Sequence, residues 1–224
     1  MDNRYVTAAL SPQFVLASAS PRRAELLQSA GFAFTVASAD IDETPRPAEP
    51  ADRYVRRLAE AKARAVAERC PGCVVLGADT TVVVDGDILG KPADAADAAA
   101  MLRRLQGRAH EVMTGVAVVA GGQVRVELAT TRVWFAVMAE HEIAAYVASG
   151  EPMDKAGAYG IQGRAACYVT RIDGSYSNVV GLPVALVHVL VGEYLPALRE
   201  NPRPEEAGLE IGRASCRERV CLAV

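Results

Sequence analysis

Two serines and two arginines lie close together where a short apolar run gives way to a helical pattern. Ser18, Ser20, Arg22 and Arg23 follow the run Phe14–Ala17. Backbone N–H groups in the first turn of a helix attract anions, and hydroxyls and guanidiniums add charge-assisted donors. These four residues therefore indicate a binding site for a polyphosphate, although the Walker motif G-x-x-x-x-G-K-[ST] is absent. The alternative is a capped helix with exposed arginines.

A second group of candidates is acidic. Asp79, followed by Thr80, comes after the apolar run Val74–Gly77, at the predicted end of a strand. Open α/β sheets bind ligands at such ends, and a carboxylate beside the core needs a partner or a metal. Further acidic residues follow another predicted strand, and these are Asp40, Asp42 and Glu43. Two or three such carboxylates suit Mg²⁺, which takes oxygen ligands. The alternative for Asp79 is a cap or turn residue.

Two lysines are candidates for neutralising phosphate oxygens. Lys91 lies in the string Gly90-Lys91-Pro92 after a predicted hairpin strand, and Lys62 lies on a predicted long helix. An ammonium group acts on a phosphate as a point charge. Each position is equally consistent with an ordinary surface lysine.

A glycine-rich segment offers a different chemistry. Gly157, Gly160 and Gly163 recur within residues 151–163, and this spacing permits close approach of the backbone to a ligand. Gln162 carries an amide that both donates and accepts hydrogen bonds, which suits the edge of a nucleobase. The alternative is a plain flexible loop. A further polar loop, residues 173–178, is in a position to close over such a site.

Apolar runs and helical periodicities supply the elements that must position these groups. Their order mixes strand–helix units with antiparallel hairpins, which predicts one α/β domain on a mixed sheet. Ser20 is the predicted N-cap of a helix that begins at Pro21, and Asp85-Gly86 predicts a type I′ hairpin turn. The predicted strands are 14–17, 32–38, 74–77, 81–84, 88–89, 112–120, 124–137 and 165–172. The predicted helices are 24–30, 52–69, 94–106, 139–148 and 182–198.

Composition limits the classes of partner. The 224 residues are 51% hydrophobic and 23% charged, which is typical of a globular chain that needs no structural metal. A net charge of −3, a pI near 5.7 and the single Trp134 argue against nucleic-acid binding. Mean hydropathy is +0.12, yet no window reaches the roughly 18 uninterrupted apolar residues of a membrane span. The N-terminal residues 1–5 lack the pattern of a signal peptide, so we expect a cytoplasmic protein without a membrane partner.

The cysteines and the C-terminal residues predict no further chemistry. Five scattered cysteines argue against a disulfide framework and for a reducing compartment. Cys70 and Cys73 form a C-x-x-C that follows a helix, and zinc would need a second ligand pair, so we predict a turn with two thiols. Residues 210–221 resemble a sequencing adapter translated in frame. We therefore predict a single domain over residues 1–200 and a disordered or artefactual tail over residues 201–224.

Taken together, the strings resemble those of the Maf family of nucleoside triphosphate pyrophosphatases. They are Leu16-Ala17-Ser18-Ala19-Ser20-Pro21-Arg22-Arg23, Gly77-Ala78-Asp79-Thr80, Gly90-Lys91-Pro92 and residues 151–163. Each string alone is weak, but all of them in this order are specific, and the resemblance covers roughly residues 14–198. It implies an elongated mixed sheet flanked by helices, as in inosine triphosphate pyrophosphatases (the Maf/Ham1 fold), and a homodimer. It also implies hydrolysis between the α- and β-phosphates with a divalent cation, Mg²⁺ or Mn²⁺.

The resemblance also assigns roles to residues. Asp79 matches the family's proton acceptor, and Glu43 and Asp79 would hold the metal. The positions that match its specificity residues are Arg22, Thr80 and Gln162. The remaining matched site positions are Ser18, Arg23, Lys62 and Lys91, together with Glu43.

Gln162 separates two branches of the family. Within residues 158–163 it resembles the branch that cleaves dTTP and UTP, whereas the branch acting on 7-methyl-GTP has a glutamate there. An ionised glutamate only accepts hydrogen bonds, which suits a cationic methylated guanine. We therefore expect dTTP and UTP as substrates, with CTP and modified pyrimidine nucleotides also open. The alternatives are a 7-methyl-GTP pyrophosphatase and a nucleotide-binding regulator of septum formation that needs no turnover.

Overall fold

A mixed sheet runs through the computed structural model, which describes residues 13–195. Seven strands of these residues join in the order β2-β1-β3-β5-β6-β7, with β4 paired to β3. β1 is parallel to β2 and β3, and the other pairs are antiparallel. The strands are β1 (Phe14–Ala17), β2 (Thr35–Val36), β3 (Val74–Val84), β4 (Asp87–Leu89), β5 (Ala109–Ala120), β6 (Gln123–Phe135) and β7 (Val169–Asp173). The predicted α/β class with a mixed sheet is confirmed.

Helices cover both faces of this sheet. They are α1 (Pro21–Ser29), α2 (Ala51–Ala67), α3 (Ala95–Leu105), α4 (Glu140–Ala148), α5 (Tyr176–Val180) and α6 (Val184–Gly192). Along β1, Phe14 and Leu16 pack with residues of α1 and α6, whereas Val15 and Ala17 pack with residues of α2. Burial on both faces explains why this strand is a continuous apolar run rather than an alternating one.

The hairpin between β3 and β4 has the predicted turn. Asp85 and Gly86 both have positive φ, at 56° and 84°, as a type I′ turn requires. Val84 pairs with Asp87 at its base. The turn matches the right-handed twist of the strands, so this part of the fold is specified locally.

Several predicted elements differ from the structure. The predicted strand 32–38 contracts to the two residues of β2, and the predicted strand 165–172 starts only at Val169, because Arg164–Tyr168 form a 3-10 helix. The predicted lid, residues 173–178, instead leads into α5. There Asn178 is buried, and its side-chain amide donates to the carbonyl of Val112 and the hydroxyl of Thr131 over 3.0 Å each. The buried Asn178 side chain therefore fixes the end of this segment to β5 and β6, although Tyr176 is exposed.

Cys70 and Cys73 are joined by a disulfide, so the prediction of a turn with two free thiols was wrong. The turn itself, between α2 and β3, is present, and it brings the two cysteines within bonding distance. Cys167 is a free, exposed cysteine. The predicted tail, residues 201–224, and the last predicted helical residues, 196–198, lie outside the described residues. Within residues 13–195 no helix is both long and apolar enough to cross a membrane.

Candidate active site

A cavity of about 850 Å³ opens where β1 ends and its neighbour β3 continues. The pairing of β1 with β3 stops at Ala17 and Gly77, and the chain then leaves the sheet at Ser18. Asp79 therefore lies inside β3, not at a strand end as predicted, because β3 remains paired with β5. All the site residues implied by the family resemblance line this cavity, namely Ser18, Arg22, Arg23, Glu43, Lys62, Asp79, Thr80, Lys91 and Gln162.

The loop between β1 and α1 forms one wall. Ser20 occupies the predicted N-cap position with Pro21 next, but its side chain makes no capping hydrogen bond. The hydroxyl of Ser18 instead accepts from the Ser20 N–H over 3.1 Å and from Arg23 Nη1 over 3.2 Å. The loop is thus held by its own side chains, and the N-terminus of α1 faces the cavity.

Arg23 is bound by uncharged oxygens. Besides Ser18, Nε donates to the Gly181 carbonyl over 2.9 Å and Nη2 donates to the Thr80 hydroxyl over 3.1 Å. Burial lowers the pKa of Arg23 from its ordinary value of 12.5, although Asp79 and Glu43 oppose this effect. Because its hydrogen-bond acceptors carry no charge, the guanidinium charge in this wall is available to an anion.

Thr80 is part of the support of Arg23. Its hydroxyl also donates to the Gly181 carbonyl over 3.1 Å and lies 2.9 Å from the hydroxyl of Thr114. These bonds occupy the donor and the acceptor positions of the Thr80 hydroxyl. The Thr80 hydroxyl therefore helps to hold Arg23 and the Gly181 carbonyl in place.

Lys62 lies between two carboxylates. Its Nζ is 2.7 Å from Asp79 Oδ1 and 2.7 Å from Glu43 Oε1. Lys62 and Asp79 are 8% and 7% exposed, so this pair is buried, whereas the Glu43 side chain is 53% exposed. Burial raises the pKa of Asp79 above its ordinary 3.8, and the charges of Lys62 and Arg23 act in the opposite direction. Asp79 is thus a buried carboxylate of raised pKa. It lies beside the cavity wall that carries Arg22 and Arg23, which we call the cationic wall.

Two glycines bring Lys62 over Asp79. A Cβ on Gly77 would lie 2.2 Å from the carbonyl oxygen of Ala59, and one on Gly115 would lie 2.3 Å from that of Val55. Only glycine at these positions of β3 and β5 lets α2 approach the sheet so closely. Gly77 belongs to the string Gly77-Ala78-Asp79-Thr80, but its packing role and that of Gly115 were not predicted from sequence. A glycine inside an apolar strand run is the signal that could have found them.

Residues of α2 also hold the loop that carries Glu43. The Tyr54 hydroxyl donates to the Glu43 carbonyl over 3.0 Å, and burial raises the pKa of Tyr54 to about 12. Arg57 donates twice to the Glu49 carboxylate over 2.6 Å, from Nε and Nη2. Of the acidic residues considered from sequence, Glu43 reaches the cavity, whereas Asp42 accepts the N–H of Thr44 in a local turn.

The opposite wall is formed by residues 151–163. They form short 3-10 turns over Glu151–Asp154 and Ala156–Ala158 rather than a plain loop. Gln162 is exposed and lines the cavity, as does Lys91, which follows β4. Gly157 donates its N–H to the carbonyl of Gly90 over 3.0 Å, which links this wall to the β4 end.

The glycines of this wall lie close to neighbouring side chains. An added Cβ would lie 2.8 Å from Val82 at Gly157, 2.5 Å from Lys155 at Gly160, and 2.0 Å from the Glu151 carboxylate at Gly163. Packing and a positive φ require glycine at Gly157, whereas the contacts at Gly160 and Gly163 are with the ends of flexible side chains.

An ion pair joins the two walls. Arg22 Nη1 donates to Asp154 Oδ2 over 3.0 Å, and Asp154 Oδ1 accepts from Lys155 Nζ over 2.6 Å. The Asp154 side chain is 66% exposed, so this pair contributes little to stability. Asp154 was not predicted from sequence, because nothing local connects it with a residue 132 positions away.

The carboxylate pair suits a divalent cation. Within residues 13–195 there is no group of three or more His, Cys, Asp or Glu side chains that could hold a metal. Mg²⁺, however, is commonly bound by one or two carboxylates together with waters and substrate phosphates. Glu43 and Asp79 already converge on one cation, the Lys62 ammonium. Their positions and chemistry therefore fit such an ion.

A family model and several known proteins match most of this chain. The family model described as Maf-like protein matches residues 13–194. A dTTP/UTP pyrophosphatase of Hahella chejuensis is 56% identical over 185 residues, which are 81% of this chain and 92% of the relative. One from Geobacter metallireducens is 57% identical over 178 residues, 78% of this chain and 92% of the relative.

Solved structures of Ham1 proteins are similar over part of the chain. The Ham1 protein of Staphylococcus aureus aligns with a TM-score of 0.42 and 17% identity, over 55% of this chain and 72% of that chain. A Ham1 protein from Coxiella burnetii aligns with a TM-score of 0.40 and 17% identity, over 57% and 74%.

Proposed function

This chain belongs to the Maf-like protein family, and we propose that it is a pyrophosphatase that hydrolyses dTTP and UTP to the nucleoside monophosphate and pyrophosphate. Its relatives at 56–57% identity carry the name dTTP/UTP pyrophosphatase. The names of these relatives do not support the two alternative functions, which are a 7-methyl-GTP pyrophosphatase and a nucleotide-binding regulator without turnover. The observation that carries the proposal is that one cavity is lined by Arg22 and Arg23, by the Glu43–Asp79 carboxylate pair and by Gln162.

The cationic wall would bind the triphosphate. Arg23 has uncharged partners and the N-terminus of α1 faces the same space, so both can act on phosphate oxygens. Arg22 would exchange Asp154 for a phosphate group, because that ion pair is largely exposed. Lys91 would add a further positive charge from the other side of the cavity.

Asp79 would act as the base. It would accept a proton from the water that attacks the α-phosphorus, as the bond to the β-phosphate oxygen breaks and pyrophosphate leaves. Burial raises the pKa of Asp79, which makes the carboxylate a stronger base than an exposed one. Lys62, at 2.7 Å from Asp79, orients the carboxylate and favours its ionised form, since its charge lowers the pKa of Asp79 against the effect of burial.

Glu43 and Asp79 would hold Mg²⁺ or Mn²⁺ once the substrate is present. The ion would offset charge on the phosphate chain and on the leaving pyrophosphate. We also propose a cytoplasmic location, because nucleoside triphosphates are found there. We propose that the protein is a homodimer and that it has no nucleic-acid or membrane partner. The acidic pI of 5.7 supports the absence of a nucleic-acid partner, and sedimentation of the purified protein would test the dimer.

The test is incubation with Mg²⁺ and a panel of nucleoside triphosphates, with pyrophosphate and monophosphate measured separately. We expect equal release of both products, fastest from dTTP and UTP. Release of inorganic phosphate with the diphosphate would contradict cleavage between the α- and β-phosphates. Faster turnover of 7-methyl-GTP would contradict the substrate assignment, and binding without turnover would contradict the enzyme.

A further inference from the structure

A four-residue turn presents Gln162 to the cavity. The N–H of Gly163 donates to the carbonyl of Gly160 over 3.1 Å, which closes the turn. Ile161 is 7% exposed and packs into the core, whereas the next residue, Gln162, is exposed on the cavity side. The direction of the Gln162 amide therefore depends on how this backbone is held.

The first residue of the turn is held by Tyr146, in the last turn of α4. Tyr146 is 3% exposed. Its hydroxyl accepts the N–H of Gly160 over 3.2 Å and donates to Glu151 Oε1 over 2.9 Å. Burial raises the pKa of Tyr146, so the hydroxyl remains a neutral donor at physiological pH.

The other end of the turn is held by Glu151. Its second oxygen, Oε2, accepts the N–H of Arg164 over 3.1 Å, directly after the turn. A Cβ on Gly163 would lie 2.0 Å from Glu151 Oε1, so a glycine there leaves the space that the carboxylate occupies. One tyrosine–glutamate pair thus binds the backbone on both sides of Gln162.

We propose that Tyr146 and Glu151 are positioning residues for base selection. They fix the turn so that the Gln162 amide offers its donor and acceptor to the base in one orientation. The inference rests on the proposed function, because it concerns the selection of substrate at that same site. Tyr146 acts from behind the turn and needs no contact with the nucleotide.

The test begins with Tyr146→Phe, which keeps the ring and removes the hydroxyl that joins Gly160 to Glu151. We expect the KM for dTTP to rise about tenfold, equivalent to about 1.4 kcal/mol, with kcat within about twofold of the wild type. For GTP, whose purine does not offer the pyrimidine edge that we propose Gln162 binds, kcat/KM should stay unchanged. The ratio of kcat/KM for dTTP over GTP should therefore fall about tenfold.

The matched control is Tyr168→Phe, which removes a hydroxyl that lies 3.4 Å from Glu142. This control should keep the dTTP/GTP ratio. Glu151→Gln keeps an acceptor for the Arg164 N–H and should preserve most of the ratio, whereas Glu151→Ala should lose it. This second pair also provides the answer if Tyr146→Phe does not fold, as judged by its melting curve.

Two results would overturn the positioning role. One is a folded Tyr146→Phe variant whose dTTP/GTP ratio stays within about twofold of wild type. The other is an equal loss of kcat for both nucleotides. Failure of the wild-type protein to release pyrophosphate from any nucleoside triphosphate is a separate outcome, and it would overturn the proposed function together with this inference.

Discussion

Replacing Lys62 by methionine should destabilise the protein and make its stability depend on pH. The variant keeps most of the aliphatic stem but leaves the buried Asp79 without the ammonium at 2.7 Å. Removing one partner of a buried ion pair costs about 3–5 kcal/mol. Glu43 is 53% exposed and can turn to solvent, so we expect the lower figure. For a domain of this size, about 3 kcal/mol corresponds to a melting temperature lower by about 6–12 °C.

The pH dependence follows from the pKa of Asp79. Lys62 lowers that pKa against the raising effect of burial, so in the variant the folded-state pKa rises further above 3.8. The unfolded-state pKa is the same in both proteins. The stability deficit of the variant is therefore fully present above its folded-state pKa and disappears as the pH falls through that pKa toward that of the wild type. Differential scanning calorimetry from pH 4 to pH 8 would measure this.

Lys91→Met is the matched control, because Lys91 is an exposed lysine of the same cavity. We expect it to change stability by about 0.5 kcal/mol or less at every pH. Equal shifts of melting temperature in the two variants, or a Lys62→Met shift that is the same at pH 4 and pH 8, would refute the reasoning.

Mg²⁺ should raise the melting temperature of Lys62→Met more than that of the wild type, since the carboxylates of Glu43 and Asp79 then lack the Lys62 ammonium. An equal rise would contradict the proposed metal position.

Three further substitutions test other parts of the site. Asp79→Asn should lower kcat for pyrophosphate release by about 100-fold or more, and near-normal turnover would refute its role as base. Gln162→Glu should lower kcat/KM for dTTP relative to 7-methyl-GTP, and an unchanged ratio would refute selection by this residue. Thr80→Val removes the hydroxyl that accepts from Arg23 and should raise the KM for dTTP about fivefold, the loss of about 1 kcal/mol of hydrogen bonding. An equal KM would show that Arg23 needs no such support.

Features that depend on neighbours along the chain could be predicted from the sequence. The hairpin turn at Asp85 and Gly86 follows from the backbone conformations that these residues tolerate. The start of α1 at Pro21 follows from the preference for proline at the first position of a helix. The α/β class could also be predicted, because it depends on the order in which strand-like and helix-like apolar patterns follow one another in the sequence. Element ends were predicted less well, as at Arg164–Tyr168, because a short apolar run has no distinct period.

Only the tertiary structure decides which side chains meet. Arg23 bonds to a carbonyl 158 residues away, and the sequence contains no local signal for that contact. Lys62 could not be distinguished from a surface lysine until α2 was seen to lie against Gly77, where a side chain would collide with the helix backbone. Residues that are neighbours in the sequence determine local conformation, whereas contacts between different helices and strands depend on how closely these elements pack. The residue types of the site were therefore readable in the sequence, and the ion pair between Lys62 and Asp79 became visible only in the folded chain.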